Sequence, residues 1–146
     1  MLRDPCLIPL SHQHHDALAV CAVLRRSLAA GPTPGNVTKL ARQAIDRCEL
    51  ELANHFEIEE QVLFPACGPM PLIAVLVAEH RAIEGLLARL RTAPTEDLLE
   101  KFCALLSRHI RREENELFEE IQRTLPREAL DLVGSEIERR VARVCL

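Results

Sequence analysis

The chain has 146 residues and a formal net charge of −4 at pH 7, and 48% of its residues are hydrophobic. This length and composition are typical of one globular domain with a substantial apolar core, so we expect a single domain over residues 1–146. The negative charge and an aromatic content of only 3% argue against nucleic acid as a partner. A basic surface and aromatic platforms for stacking bases are both missing.

Breaks rich in proline and glycine divide the chain into helical segments. They lie at 31–36, 65–71, 92–95 and 125–126. Between them, segments of roughly 20 to 28 residues carry apolar side chains at three- and four-residue spacing, the period of an amphipathic helix. Thr95, followed by Glu96 and Asp97, is a typical helix N-cap with acidic residues in the first turn. No segment has the sequence pattern of a β-strand. We therefore predict an all-α fold, an up-down-up-down four-helix bundle over about residues 8–123.

A fifth segment, Arg127 to Val144, predicts an additional short C-terminal helix over about residues 127–144. Its apolar residues fall on one face: Leu130, Val133, Ile137 and Val141. That face packs either across the bundle or against a partner chain. The sequence leaves both possibilities open, and with them the oligomeric state.

The cysteines and the apolar segments indicate where in the cell the protein is found. The six cysteines are scattered and form no C-x-x-C pair: Cys6, Cys21, Cys48, Cys67, Cys103 and Cys145. The first ten residues are too short and too proline-interrupted for a secretory signal, and the apolar run from Leu72 to Ala78 is too short to span a bilayer. We therefore expect a cytoplasmic protein with reduced thiols that does not enter a membrane. For Cys21, Cys48 and Cys103, which lie near histidines in the sequence, we favour core positions.

The segments His55–Phe64 and His109–Phe118 repeat each other. His, Glu, Glu, Leu and Phe recur at identical offsets, so both segments contain His-x-x-x-Glu. Residues four apart lie on one face of a helix, one turn above each other. An imidazole and a carboxylate arranged this way offer two ligands to a divalent transition metal, and two such pairs on facing helices predict a metal site inside a bundle.

Two further histidines complete the pattern. Aligning His14 of the first segment with His80 of the third also matches Leu24 with Leu90. Each half of the chain thus supplies one single histidine and one His-x-x-x-Glu pair. A single histidine on an apolar face is usually a hydrogen-bonded core residue, and one such pair is usually a surface ion pair. Four such features in bundle order favour a shared metal, because burying them without a cation costs several kcal/mol.

In these residues the chain resembles the hemerythrin-like family, also called the HHE cation-binding domain. The resemblance covers about residues 8–123 and rests on four motifs: Ser11–Leu18, His55-x-x-x-Glu59, Ala78–Arg81 and His109-x-x-x-Glu113. The family implies a four-helix bundle around a non-haem, usually di-iron centre, with bridging carboxylates and histidines at the outer positions. It implies two irons per chain and the following ligands here: His14, His55, Glu59, His80, His109 and Glu113. The rival ferritin-like pattern needs Glu-x-x-His on two helices, and no histidine here has that glutamate.

The chain departs from the family's oxygen carriers at one ligand position. Leu76 stands where those proteins have a second histidine one turn before the His80 position. The ligand set is one imidazole short unless His15 or His12 substitutes, and this departure favours redox chemistry over stable oxygen carriage. Glu114 remains an alternative to Glu113, and His15 or His12 remains an alternative to His14.

Several neighbours of the predicted ligands have no firm role. Glu60 and Glu114 either accept hydrogen bonds from the ligand histidines or are solvated, and we favour solvated. Phe64 and Phe118 are expected to be core residues that cap the site.

The resemblance implies a range of functions: reversible O2 binding, oxygen or redox sensing, iron handling, and responses to nitric oxide or peroxide. We expect an iron protein that binds or senses O2 or a related small oxidant. Two alternatives stay open, an iron-dependent enzyme acting on peroxide or nitric oxide, and an iron-free helical module that binds a partner protein.

Overall fold

The computed structural model describes residues 2–142, and every regular element among them is helical. The all-α prediction is therefore confirmed for this part of the chain. A 3₁₀ turn, Pro5–Leu7, precedes seven α-helical stretches: α1 (Ile8–Ala29), α2 (Pro34–Ile58), α3 (Phe64–Cys67), α4 (Pro71–Thr92), α5 (Glu96–Arg112), α6 (Phe118–Thr124) and α7 (Arg127–Arg140). Within residues 2–142, no helix combines the length and the apolar character needed to cross a membrane.

The helix ends follow local chemistry. The hydroxyl of Thr33 caps the start of α2, and the hydroxyl of Thr95 accepts a hydrogen bond of 3.1 Å from the backbone N–H of Leu98 at the start of α5. Each contact satisfies a backbone N–H that has no partner inside its helix. Gly31, just after α1, and Gly68, just after α3, have φ values of 73° and 70°, a region that glycine adopts without steric cost.

The four long helices contact each other in a ring, with α1 and α4 each packed against both α2 and α5. Two apolar clusters fill this arrangement. The first cluster contains residues such as Leu24, Leu52 and Leu106, and the second contains Leu10 and Leu63 together with the face of α7. Between the two clusters, every long helix contributes polar side chains to one buried layer.

Two π-helical turns interrupt the second and fourth long helices at this layer. Glu59–Leu63 connects α2 with α3, and Glu113–Leu117 connects α5 with α6. Each turn begins at the glutamate of a His-x-x-x-Glu pair, so the repeat in the sequence is also a repeat in backbone structure. Such single π turns inside α-helices are rare and are frequently found at functional sites.

The C-terminal helix packs on its own chain. Leu130, Val133 and Ile137 of α7 are buried, and α7 contacts the 3₁₀ turn, the first π turn and α2. The predicted helix is too long, because α7 ends at Arg140 and Val141 has an extended conformation with ψ of 126°. Val144 lies outside the described residues.

Candidate metal centre

Six side chains meet in the buried polar layer, and they are the six predicted from the sequence. His14 comes from α1 and His80 from α4. His55 and His109 lie in the last turns of α2 and α5, and Glu59 and Glu113 open the π turns that follow. All six are at most 4% exposed. The i, i+4 spacing thus orients each histidine and its glutamate toward the interior, as the helical period requires.

The six side chains form two overlapping groups whose potential ligand atoms lie within 4.8 Å of one another. One group contains His14 and His55, which we call the first half of the centre. The other contains His80 and His109, the second half. Both groups share Glu59 and Glu113.

The two shared carboxylates span both halves. Glu59 Oε1 lies 3.1 Å from His55 Nε2, while Glu59 Oε2 lies 3.0 Å from His80 Nε2. Glu113 Oε2 lies 2.9 Å from His14 Nε2, and Glu113 Oε1 lies 2.6 Å from His109 Nε2. Each carboxylate therefore directs one oxygen to each half, the orientation required to bridge two cations.

Several of the nitrogen and oxygen atoms that face the middle of this centre have no hydrogen-bond partner in the protein. Among residues 2–142, six buried side-chain atoms have no hydrogen-bond partner, and five of them belong to the centre: both oxygens of Glu59, His80 Nε2, His109 Nε2 and Glu113 Oε1. Buried polar atoms are almost always paired, because an unpaired one costs about 1–3 kcal/mol. Nitrogen and carboxylate donors suit Fe, Mn or Zn. The residues present therefore fit a divalent transition metal.

The charges of the centre are strongly coupled. Burial by itself would lower the pKa of His55, but the carboxylates of Glu59 and Glu113 raise it to about 10. The same opposition raises the pKa of His80 to about 9. Burial would raise the pKa of Glu113, yet its close contacts with the four imidazoles hold it well below its ordinary value. Without a metal the imidazoles of His55 and His80 therefore retain protons near neutral pH, and a bound cation would displace them.

Each imidazole is also held from its outer side, through Nδ1. His14 bonds to Glu114 at 2.7 Å and His80 to Glu60 at 2.9 Å. The prediction that Glu60 and Glu114 are solvated is therefore wrong. Both are only half-buried, but the histidine of the neighbouring helix lies within their reach. Such outer partners orient a ligand imidazole and raise its basicity.

The other two imidazoles have outer partners that the sequence motifs did not indicate. His109 Nδ1 lies 3.1 Å from Glu79 Oε1, and His55 Nδ1 lies 2.8 Å from Gln13 Oε1. Gln13 and Glu79 each directly precede a single histidine, His14 and His80. They take equivalent places when the two halves of the chain are aligned. This equivalence could have identified both residues from the sequence.

Three of the four outer partners are carboxylates paired with arginine, and the fourth is a neutral amide. Arg3 bonds to Glu114 at 2.9 Å, Arg81 pairs with Glu60, and Arg112 lies 3.6 Å from Glu79. Gln13 instead donates to Asn54 Oδ1 at 3.0 Å, a contact with no formal charge. The neutral amide of Gln13 thus polarises the imidazole of His55 less than the three carboxylates polarise the other imidazoles.

Aromatic and aliphatic side chains surround the centre. Phe118 stacks on His14 with ring centroids 5.5 Å apart, and Phe64 stacks on His80 at 5.8 Å. Both are buried core residues, as predicted. Phe56, for which the sequence predicted no role, stacks on His80 at 3.9 Å and contacts His109 edge-on.

The remaining sequence alternatives do not join the cluster. His12 and His15 are exposed on α1, and neither belongs to the two groups of potential ligands. Leu76 is fully buried in the second apolar cluster, and Leu10 takes the equivalent place on α1. Cys21, Cys48 and Cys103 are buried in the first cluster, as expected for core residues.

Comparison with known proteins agrees with this geometry. The family model of the hemerythrin HHE cation-binding domain matches residues 9–121. The chain therefore belongs to the hemerythrin HHE cation-binding domain family, and its clustered histidines and glutamates can bind metal. No curated protein and no solved structure gives a significant match.

Proposed function

We propose that this chain is a non-haem iron protein that holds two irons in the six-residue centre and binds or senses O2 or a related small oxidant there. The observation that carries the proposal is the pair of buried carboxylates, Glu59 and Glu113, each with one oxygen directed to each half. When bound, a pair of ferrous ions supplies the electrons that such an oxidant accepts.

The protein's own side chains would hold and balance the irons. His14 and His55 would bind one, His80 and His109 the other, and Glu59 with Glu113 would bridge them and offset their charge. The buried leucine, isoleucine and phenylalanine side chains on both sides exclude bulk water from this layer. A low-dielectric surrounding strengthens the electrostatic hold of the carboxylates on a cation.

Of the two alternatives, the iron-free module is less well supported. An iron-free module would bury five donor atoms that have no hydrogen-bond partner and would rely on close imidazole–carboxylate ion pairs alone, which argues for a cation. An enzyme acting on peroxide or nitric oxide needs the same ligands as a binding protein. Leu76, in place of a family histidine, favours such turnover because the second half has only two imidazoles.

Anaerobic reduction of the iron-loaded protein, followed by addition of O2 and recording of visible absorption, tests the function. A reversible oxygen-dependent band supports a carrier or sensor, and irreversible oxidation with peroxide consumption supports the enzyme. An iron-loaded sample that shows no spectral change would reject both and leave iron storage or a structural metal.

We further propose a single domain whose four long helices run up-down-up-down, acting in the cytoplasm. The ring of contacts among α1, α2, α4 and α5 supports this topology, as do the short connections between successive helices. The scattered cysteines, which lack any C-x-x-C pair, support the location.

A further inference from the structure

A small cavity lies between α1 and α2, beside the first half of the centre. Its volume is about 20 Å³, room for one particle the size of a water molecule. His14 and His55 form part of its wall, and so do Asp16 and Glu51. The carboxyl groups of Asp16 and Glu51 are not used by the centre.

A groove of about 200 Å³ lies on the other side of these carboxyl groups. Gln13, Asp16 and Glu51 line both the groove and the cavity, so they form the wall between them. The exposed His12 lies on the groove side only. A particle that crosses this wall from the groove arrives beside His14 and His55.

Glu51 is an unusual residue for this position. It is only 7% exposed, and its Oε1 atom is buried with no hydrogen-bond partner within residues 2–142. Burial and the neighbouring Asp16 carboxyl, which is within hydrogen-bonding reach, raise the pKa of Glu51 to about 7. Two carboxylates this close repel each other unless a proton or a cation is shared between them.

Among the groups that line the cavity, the His55 imidazole partly offsets the charge of Glu51, because it lowers the pKa of that carboxyl. Arg47 also lines the cavity, but it is exposed, and no ion pair among the described residues joins it to Glu51 or Asp16. The second half of the centre has no such carboxyl groups. The alignment of His14 with His80 and of His55 with His109 places Ala82 opposite Asp16 and Leu105 opposite Glu51.

We propose that Asp16 and Glu51 form a transient binding site for a divalent cation, through which Fe²⁺ passes from the groove to the centre. This inference rests on the proposed function, because it concerns the delivery of the iron that the centre uses. Carboxylate oxygens and water are suitable ligands for a divalent cation in transit. With only two protein carboxylates the site binds weakly, so the cation moves on to the four or more ligands of the deeper centre.

The first test measures iron uptake by iron-free protein under anaerobic conditions. Fe²⁺ is added, the protein is desalted rapidly after set intervals, and bound iron is determined by elemental analysis. The double variant Asp16→Asn/Glu51→Gln should take up iron about tenfold more slowly, the scale of rate change expected when local charge no longer concentrates a cation. Its final iron content should equal that of the wild type.

The matched control is Asp46→Asn/Glu57→Gln. Both residues are exposed on α2, and neither lines the cavity or the groove, so this variant removes two formal carboxylate charges without touching the wall. It should load iron at the wild-type rate. Asp16→Asn alone serves as a second, milder variant, since Asp16 is only half-buried, and should also slow uptake.

A second measurement uses Mn²⁺ as a probe on the iron-loaded protein, followed by electron paramagnetic resonance. The wild type should bind one additional, weakly held Mn²⁺ per chain, and the Asp16→Asn/Glu51→Gln variant should not. Uptake at the wild-type rate by that variant, or an unchanged Mn²⁺ signal, would overturn the transit site and leave a proton-sharing pair. A wild type that takes up no iron at all would instead overturn the proposed function, and this inference with it.

Discussion

The first half of the centre, His14 with His55, and the second half, His80 with His109, share two carboxylates but stand in different surroundings. In the second half both imidazoles bond outward to carboxylates, Glu60 and Glu79. In the first half, His55 bonds instead to the neutral amide of Gln13. The outer partners occupy equivalent positions of the sequence repeat, but Gln13 is a neutral amide where Glu79 is a carboxylate.

The two halves also differ in how they are enclosed. Phe56 lies against both imidazoles of the second half, while the equivalent place on α5 is taken by the smaller Ile110. The first half instead adjoins the cavity walled by Asp16 and Glu51. From this comparison we predict that the second half would hold a metal more firmly, and that a metal in the first half would exchange more readily with solvent.

The largest expected effect concerns the inner ligands. His14→Ala should remove the iron of the first half and His80→Ala that of the second, because each half has only two imidazoles. The controls are His12→Ala and His15→Ala, which change exposed residues of α1 and should retain full iron content. Elemental analysis gives the iron content. Equal loss from His15→Ala and His14→Ala would contradict this assignment of ligands.

The next prediction concerns the buried side chains that cover the imidazoles of the centre. Phe56→Ala and Ile110→Ala each remove a buried side chain, and the expected losses in stability are about 3–5 and about 2–5 kcal/mol. Only Phe56→Ala should also accelerate removal of iron from the second half by a chelator, since Phe56 covers both of its imidazoles. Urea unfolding measures the first effect and chelation kinetics the second. Equal chelation rates in the two variants would show that Phe56 does not shield the second half.

A smaller effect should follow from exchanging the outer partners. Gln13→Glu should strengthen metal binding in the first half, and Glu79→Gln should weaken it in the second, each by roughly 10- to 100-fold. A carboxylate opposite Nδ1 raises the basicity of the imidazole more than an amide does. Competition with a chelator of known affinity measures both changes. If both variants shift affinity in the same direction, the outer partners do not set the difference between the halves.

The smallest effect is a pH dependence of the iron-free protein. The pKa values of His55 and His80 are raised from 6.5 to about 10 and about 9. A histidine with a raised pKa stabilises the folded state fully below its unfolded pKa and loses this contribution as pH rises through its folded pKa. Stability of the iron-free protein should therefore decline between pH 6.5 and about 10. Denaturation midpoints across this range measure it, and His55→Ala should flatten the decline.

The inner residues of the centre were predictable from the sequence for a simple physical reason. The helical period fixes which side chains at i and i+4 share a face, so the spacing alone pairs His55 with Glu59 and His109 with Glu113. The buried layer they form was also predictable from the apolar stripes around His14 and His80. Their role as metal ligands remains a prediction.

The outer residues were less predictable because their contacts join different helices. Glu60 bonds to His80 of α4, and Glu114 to His14 of α1, so neither contact follows from spacing along one helix. The π turns were missed for another reason. A local change in helical period over five residues leaves too little apolar pattern to detect. The end of α7 at Arg140 was missed because apolar spacing continued to Val141.

The iron content of protein purified from iron-replete cells tests the central claim most directly. Elemental analysis of the wild type should give about two irons per chain, and the double variant His55→Ala/His109→Ala, which removes one imidazole from each half, should retain less than one. A folded wild type with less than one metal per chain, unchanged by that double substitution, would contradict the account.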